Sequence, residues 1–330
     1  MPPELLERHG VPGAVLATLR NAKGIAFEAS GVRDAANGEP VALDSIFEVA
    51  SLTKPVFALA VWKLSERGLL ELDRPLASYL PLPYAHEQRP WRPAGESPID
   101  WVTDPRLSRI TAETVLTHTT GFPNWAFERN LTLDFSPGER WQYSGEGFVL
   151  LQRVVERLTE KPLDVHVKES VFDPLGMASS SLVWRNDFEG RFASGHDRKG
   201  SPREKSRPLR ALAAGSLHTT VRDYVRFLEE LFRGEWLRAF ARPRVEVEAG
   251  LGLSWGLSWG IEERAGESFA WHWGANPGFQ SFVMASPRDR SAFVLLTNSE
   301  NGLRLAKAVA EEFYSGEHPV FQFRMLNPDD

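Results

Sequence analysis

The chain has 330 residues, of which 42% are hydrophobic and 25% are charged, and its formal net charge is −6. This is ordinary globular composition, and no block of lysine or arginine points to nucleic acid or to an anionic membrane. The chain has no cysteine, which excludes disulfides, thiolate chemistry and cysteine-bound metal. Its 8 histidines show no HExxH pairing, so the sequence predicts no metal site and no cofactor.

The N-terminal residues lack a charged start followed by an apolar run, and no stretch of about 18 apolar residues occurs in the chain. The sequence therefore predicts neither a signal peptide nor a membrane span. We expect a cytoplasmic protein, unless a leader has been removed.

The first quarter of the chain predicts a hairpin followed by a helix. Residues 11–18 and 24–29 alternate in polarity around an Asn-Ala-Lys-Gly turn, which is typical of two antiparallel strands. Residues 56–67 carry apolar side chains at helical spacing and end at Gly68. Ser51 is expected at the start of this helix.

Between about residues 73 and 207, Pro and Gly interrupt short helical segments, among them 112–116, 147–158 and 163–171. We interpret 73–207 as a mostly helical lobe inserted into a sheet lobe made of 1–72 and 208–330. A further helix is predicted at 222–232, and an amphipathic one at 303–314. Four strand-like runs lie between these two helices, at 254–262, 268–274, 279–285 and 292–298. The predicted fold class is α/β, more specifically α+β, with an antiparallel sheet flanked by helices.

The S-x-x-K motif at 51–54 is the first candidate for catalysis. Positions i and i+3 share one face of a helix, so Lys54 can reach the Ser51 hydroxyl. Serine is a weak nucleophile until a neighbour takes its proton, which a desolvated lysine can do. Taken alone, the motif favours a capping serine and a surface lysine, because about one S-x-x-K is expected by chance in a chain this long.

Six pieces of sequence in a fixed order, the first of which contains this motif, change that interpretation. They are FEVASLTKP at 47–55, LTHTTGFP at 116–123, SPGE at 136–139 with Tyr143-Ser-Gly, DPLGM at 173–177, AAGSLHTT at 213–220 and HWGANPGF at 272–279. In this order they resemble the serine β-lactamase-like superfamily, and most closely its class C β-lactamases, D,D-peptidases and family VIII carboxylesterases. The resemblance runs from about Val11 to Asn298. It implies a β-lactamase/transpeptidase-like fold with Ser51 in a cleft.

The resemblance also implies roles for individual residues. Ser51 would be the nucleophile, Lys54 its proton partner and Tyr143 the general base. His272, also expected to be catalytic, opens the third family element, which is usually Lys-Thr-Gly. The other expected contacts are the oxyanion-hole N–H groups of Ser51 and Ala275 and the substrate-binding residues Gly145, Trp273, Gly274 and Trp125.

Tyrosine has a pKa near 10, and we expect the charge of a nearby Lys54 to lower it, so that the two groups share one proton. The alternative for Tyr143 is a boundary aromatic residue whose hydroxyl simply finds a partner. His118 is interpreted as a structural hydrogen-bonding residue. Trp125, with Phe127 and Trp141, either lines an apolar acyl pocket or belongs to the core.

Two positions depart from the family pattern. Gly145 stands where the second element often has Asn, so an amide that would bind a substrate amide is missing. His272 stands where many members have Lys, and neutral imidazole attracts a carboxylate less than ammonium does. Both changes favour a small-molecule ester over penicillins and D-peptides. A β-lactamase or D-amino-acid peptidase acting on an amide is one alternative, and a non-catalytic scaffold with this fold is the other.

A competing serine motif occurs late in the chain. G-x-S-x-G at 252–256 and again at 256–260 fits the nucleophile elbow of α/β-hydrolases, and Asp289 and His318 follow Ser258 in the required order. An elbow needs a strand, a sharp turn and then a helix, whereas strand-like residues follow here. We therefore predict that Ser258 is not the nucleophile.

Overall fold

The computed structural model describes residues 1–327 and is built around one large antiparallel sheet. Its strands are β1 (Gly13–Arg20), β2 (Gly24–Asp34), β3 (Glu39–Pro40), β4 (Phe47–Glu48), β5 (Tyr84–Glu87), β6 (Ile99–Val102), β7 (His218–Thr219), β8 (Val245–Glu248), β9 (Leu253–Trp255), β10 (Gly260–Arg264), β11 (Glu267–Asn276), β12 (Phe279–Ser286) and β13 (Ser291–Thr297). Its helices are α1 (Pro3–His9), α2 (Thr53–Glu66), α3 (Ala112–Leu116), α4 (Gly145–Thr159), α5 (Leu163–Val167), α6 (Asp173–Leu175), α7 (Val221–Arg233), α8 (Trp236–Phe240) and α9 (Gly302–Phe313).

The large sheet has the strand order β3-β2-β1-β13-β12-β11-β10-β9-β8. Strand β1 lies between β2 and β13, with Ala14 opposite Thr297, so the N-terminal hairpin continues the C-terminal meander. Two short pairs, β4 with β7 and β5 with β6, lie outside it. The predicted α+β fold with an antiparallel sheet flanked by helices is confirmed.

Side chains alternate between the two faces of the sheet, as a pleated strand requires. On one face, Val15 and Val294 share a hydrophobic core with α2 and α7. On the other, Leu16 and Trp271 share a second core with α1 and α9. In β11 this alternation places the side chains of Trp271 and Trp273 in the second core, whereas Gly274 faces the turn that carries Ser51.

The predicted helices correspond to α2, α3, α4, α7, α9 and, for 163–171, α5 with the π-helical turn Lys168–Phe172 that continues it. The hairpin and the last three strand runs are also present. The single strand predicted at 254–262 is wrong, since β9 and β10 are separated by a turn in which Ser258 has a φ of 62°. The hairpin of β5 and β6 lies within 73–207, where the sequence indicated mainly helices. The division into lobes 1–72 with 208–330 and 73–207 stays a prediction. Within residues 1–327, no helix has the length and apolarity needed to cross a bilayer.

Candidate active site

Ser51 lies in a short 3-10 turn, Ala50–Leu52, directly before α2. Ala50 has a φ of 49°, in the left-handed region that a residue with a side chain rarely adopts. Thr53 Oγ1 donates to the Ala50 carbonyl at 2.6 Å and accepts from the Leu217 N–H at 2.9 Å. These bonds hold the strained turn, as is common where a reactive group must be fixed in one orientation.

Strand β11 passes close to the Ser51 turn because residue 274 is glycine. A Cβ at Gly274 would lie 2.1 Å from the Val49 carbonyl oxygen and 3.2 Å from the Ala50 Cβ, so no other residue fits without moving the backbone. Ala275 follows in the strand and is exposed, while Ser51 is half-buried. The backbone N–H groups of Ser51 and Ala275 stay the predicted oxyanion hole.

Lys54 is buried and contacts the Ser51 hydroxyl. Its Nζ donates to Ser51 Oγ at 2.9 Å and to the Ala214 carbonyl at 2.7 Å, and only 1% of the residue is exposed. Burial lowers the pKa of Lys54 from 10.5 to about 7. The alternative of a surface lysine beside a capping serine is wrong, because Lys54 is enclosed and no side chain caps α2.

Tyr143 lies against the same ammonium group. The Lys54 Nζ is 4.8 Å from the centre of its ring. Burial raises the pKa of Tyr143 above 10, and the neighbouring Ser51 side chain offsets only part of that rise. The predicted lowering of this pKa by Lys54 is therefore wrong. With its pKa raised in this way, Tyr143 keeps its proton at neutral pH. Its enclosed hydroxyl makes no hydrogen bond of ordinary geometry with the described residues.

His272 is completely buried, and its Nδ1 lies 2.7 Å from the Trp273 carbonyl oxygen. Burial and the charge of Lys54 lower the pKa of His272 to about 3, although the bond to that carbonyl acts in the opposite direction. The imidazole is therefore neutral. Trp273 is also buried, with its ring 4.9 Å from the Tyr143 ring, so its side chain offers little surface to a substrate.

Trp125 occupies the space next to Gly145, the first residue of α4. A Cβ at Gly145 would lie 2.7 Å from the Trp125 ring and 2.9 Å from the Asn124 carbonyl oxygen. The half-buried Trp125 ring stacks on the exposed Phe127 at 5.0 Å, whereas Trp141 packs beside the second core. Trp125 and Phe127 thus form an apolar surface next to Gly145, and substrate binding by Trp125 and Gly145 stays a prediction.

Replacing Gly145 with alanine should lower the free energy of unfolding by roughly 1–3 kcal/mol, because the added methyl group overlaps the Trp125 ring. Urea unfolding measures this loss. In the background of Trp125→Ala, the same replacement should cost less, since the ring is then absent and only the overlap with the Asn124 carbonyl oxygen remains. Equal costs in both backgrounds would contradict the contact.

A buried ion pair that the sequence did not suggest supports the Trp125 loop. His86 Nδ1 lies 2.6 Å from Asp100 Oδ1, and its Nε2 lies 3.1 Å from Glu146 Oε2. Glu146 Oε1 also accepts from the Ala126 N–H at 2.8 Å. Burial lowers the pKa of His86, but the bonds to Glu146 and Asp100 outweigh it and raise the pKa overall. The cluster joins β5, β6, α4 and the loop after Trp125.

His86→Gln should destabilise the protein more at pH 6 than at pH 8.5. A raised folded-state pKa stabilises the fold fully below the unfolded pKa of about 6.5, and this contribution is lost as pH rises through the folded value. Thermal unfolding of both proteins at the two pH values measures the difference. His166→Gln is the control, because burial lowers the pKa of His166. Its substitution should therefore be less destabilising at pH 6 than at pH 8.5, the opposite of His86→Gln.

The competing serine motif does not assemble a site. Ser258 is fully buried in the turn between β9 and β10, and a strand rather than a helix follows it. His318 Nδ1 pairs with Glu262 at 2.7 Å, and Asp289 contacts Ser286 at 3.2 Å. The prediction that Ser258 is not part of an elbow agrees with this structure.

A sequence model of the Beta-lactamase family matches residues 3–312. The chain belongs to the beta-lactamase family. The resemblance derived from the six motifs is therefore confirmed, and the family supports the predicted class of serine hydrolase.

The relatives of this beta-lactamase family member include an esterase and a penicillin-binding protein. The chain is 32% identical over 209 residues to esterase EstB of Burkholderia gladioli, and the aligned residues cover 54% of this chain and 49% of the esterase. It is 22% identical over 358 residues to penicillin-binding protein 4* of Bacillus subtilis, covering 96% and 73% of the two chains. The match thus spans about half the length of the esterase.

A solved class C beta lactamase from Rhodobacter sphaeroides has the same fold. The TM-score is 0.77 at 18% identity, and the match covers 95% of this chain and 97% of that one. At this identity the similarity shows the fold alone. The predicted β-lactamase/transpeptidase-like architecture is confirmed.

Proposed function

We propose that the protein is a serine hydrolase that forms an acyl-enzyme on Ser51 and acts on small-molecule carboxylic esters. One observation carries the proposal: the buried Lys54 amine lies 2.9 Å from the Ser51 hydroxyl and has a pKa lowered to about 7. An amine with that pKa is neutral in a substantial fraction of molecules at pH 7, and the neutral form can take the serine proton.

In the proposed reaction, Ser51 Oγ attacks the ester carbonyl while its proton passes to Lys54. The backbone N–H groups of Ser51 and Ala275 hold the oxyanion. Tyr143 was predicted to be the general base, but its raised pKa keeps it protonated, so it acts in this proposal as the general acid. It gives its proton to the departing alkoxide and is reprotonated by Lys54. Water then attacks the acyl-enzyme, and the same groups move protons in reverse order to release the acid.

Two features support esters over β-lactams and D-peptides. His272 is buried and neutral, so this position supplies no positive charge for a substrate carboxylate. Gly145 offers no side-chain amide, and the Trp125 ring lies where a side chain at 145 would extend. A substrate whose amide and carboxylate lose their water without gaining partners binds poorly. The name of the relative esterase EstB agrees with this choice.

The choice is tested by comparing kcat/KM for p-nitrophenyl butyrate with that for nitrocefin. We expect the ester to be favoured by roughly 100-fold or more, since unpaired polar groups are penalised strongly in a specific site. A preference for nitrocefin would instead favour the β-lactamase alternative. The fold shared with a class C beta lactamase is compatible with either substrate.

The scaffold alternative is tested by covalent labelling. A fluorophosphonate should add to the protein once, and peptide mapping should locate the adduct on Ser51. An unlabelled protein under conditions that label a control esterase would favour a scaffold, because a scaffold has no need of an activated serine.

A further inference from the structure

Two buried histidines flank the candidate general acid. The His118 ring stacks on the Tyr143 ring at 4.3 Å and 29°, and the His272 ring lies 6.4 Å from Tyr143. Both imidazoles are also within 5.5 Å of the Trp255 ring. Burial above all, and then the charge of Lys54, lowers the pKa of both imidazoles, and a charge on His272 would lower that of His118 further. The two imidazoles, the Tyr143 ring and the Trp255 ring therefore lie together in the buried surroundings of Lys54.

The hydrogen bonds of the two rings fix opposite tautomers. The Ser144 N–H donates to His118 Nδ1 at 3.0 Å, so Nδ1 is bare and the neutral ring carries its proton on Nε2. His272 Nδ1 lies 2.7 Å from the Trp273 carbonyl, which can only accept, so the proton is on Nδ1 and Nε2 is bare. His118 thus presents a donor at Nε2, and His272 presents an acceptor at Nε2.

Neither Nε2 atom has a partner among residues 1–327, although both rings are fully buried. A buried donor or acceptor without a partner costs about 1–3 kcal/mol, and internal waters that make two to four hydrogen bonds commonly remove that cost. The Tyr143 hydroxyl lies near the Ser51 side chain but is enclosed and makes no hydrogen bond of ordinary geometry within the same part of the chain. One water has the complementary donors and acceptors for all three atoms.

We propose that His118 and His272 hold a single buried water between their Nε2 atoms and thereby position the Tyr143 hydroxyl. The water accepts from His118 Nε2–H and donates one hydrogen to His272 Nε2. Its second hydrogen is donated to Tyr143 Oη, which directs the phenol's own hydrogen towards Ser51. The catalytic part of this inference rests on the proposed hydrolase; the water site itself does not. His118 is accordingly a positioning residue.

The water site is tested on the unmodified protein without reference to activity. Nitrogen-15 NMR of labelled imidazoles should show Nε2 protonated in His118 and Nδ1 protonated in His272, with assignments from His→Asn variants. A high-resolution crystal structure should contain a water within about 3.2 Å of both Nε2 atoms. The same tautomer in both rings, or side chains filling the space between them, would overturn the proposal even if the protein proves to be an active esterase.

The positioning role is tested by a pair of matched substitutions. His118→Asn supplies an oxygen where Nδ1 accepts from Ser144 and tolerates the φ of 56° at this position, but it lacks Nε2. His272→Asn supplies an amide donor for the Trp273 carbonyl and also lacks Nε2. Each variant should lower kcat for p-nitrophenyl butyrate by roughly 10- to 100-fold with little change in KM, since misplacement of a reacting group acts on the chemical step.

Because both substitutions remove the same water, the double variant should be no slower than the slower single variant. Multiplied losses in the double variant would show that the two histidines act independently and would overturn the shared water. His166→Asn is the matched control: His166 is buried with an unpaired Nε2 on α5, outside the site, and this variant should retain the wild-type kcat.

Discussion

Replacing Ser51 with alanine should lower kcat/KM for p-nitrophenyl butyrate by at least about 10⁴-fold, because removing a nucleophile leaves only binding and oxyanion stabilisation. The mass increase expected from a trapped acyl group should disappear as well. The fold should be retained, because Lys54 loses its hydrogen bond to the Ser51 hydroxyl but keeps the 2.7 Å bond to the Ala214 carbonyl. Steady-state kinetics and intact-protein mass spectrometry measure the two effects.

Ser258→Ala is the matched control, since it removes a hydroxyl from the other serine motif. The Ser258 Oγ is buried and has no partner in the described part of the chain, so its loss should leave activity within about 2-fold of wild type and should not destabilise the fold. Activity that survives Ser51→Ala but falls with Ser258→Ala would reverse the assignment of the nucleophile.

The sequence predicted well those helices and strands whose hydrophobic pattern directly reflects which of their faces is buried. Helix α7 is apolar on one face only, and strands β11 to β13 are separated by short turns. The separation of β9 from β10 was missed because Gly256 contacts a distant segment: a Cβ there would lie 2.0 Å from the Phe240 carbonyl oxygen. That contact joins residues far apart in sequence, and periodicity cannot reveal it.

Some features of the candidate site could also be predicted from the sequence, and others could not. The reach of Lys54 to Ser51 follows from helix geometry and was predictable, and the six motifs gave the family. The direction of the Tyr143 pKa was not predictable, because it depends on how fully the surrounding rings exclude water. The position of Trp125 beside Gly145 and the bond from Ser144 to His118 were also missed, since each joins a loop to the start of α4.

Replacing Lys54 with methionine should reduce kcat/KM for the ester by about 10³-fold or more, because the amine that takes the serine proton is lost and methionine cannot replace it. In the wild type, kcat/KM should fall as pH drops through about 7, since only the neutral amine accepts that proton. A pH–rate profile of the wild type measures this step. A flat profile between pH 5.5 and 8.5 would contradict Lys54 as the base.

The same substitution should make the protein more stable, by an amount that depends on pH. Lys54 has a pKa near 7 when folded and about 10.5 when unfolded, so its burial destabilises the fold below pH 10.5, increasingly so down to about pH 7 and by a constant amount below it. The gain in Tm of Lys54→Met over the wild type should therefore be larger at pH 6.5 than at pH 9. Lys54→Arg provides the comparison, because a guanidinium stays charged and should lose both activity and stability. If methionine instead lowers Tm equally at both pH values, the lysine is not a strained, desolvated base, and the reactivity assigned to Ser51 loses its physical cause.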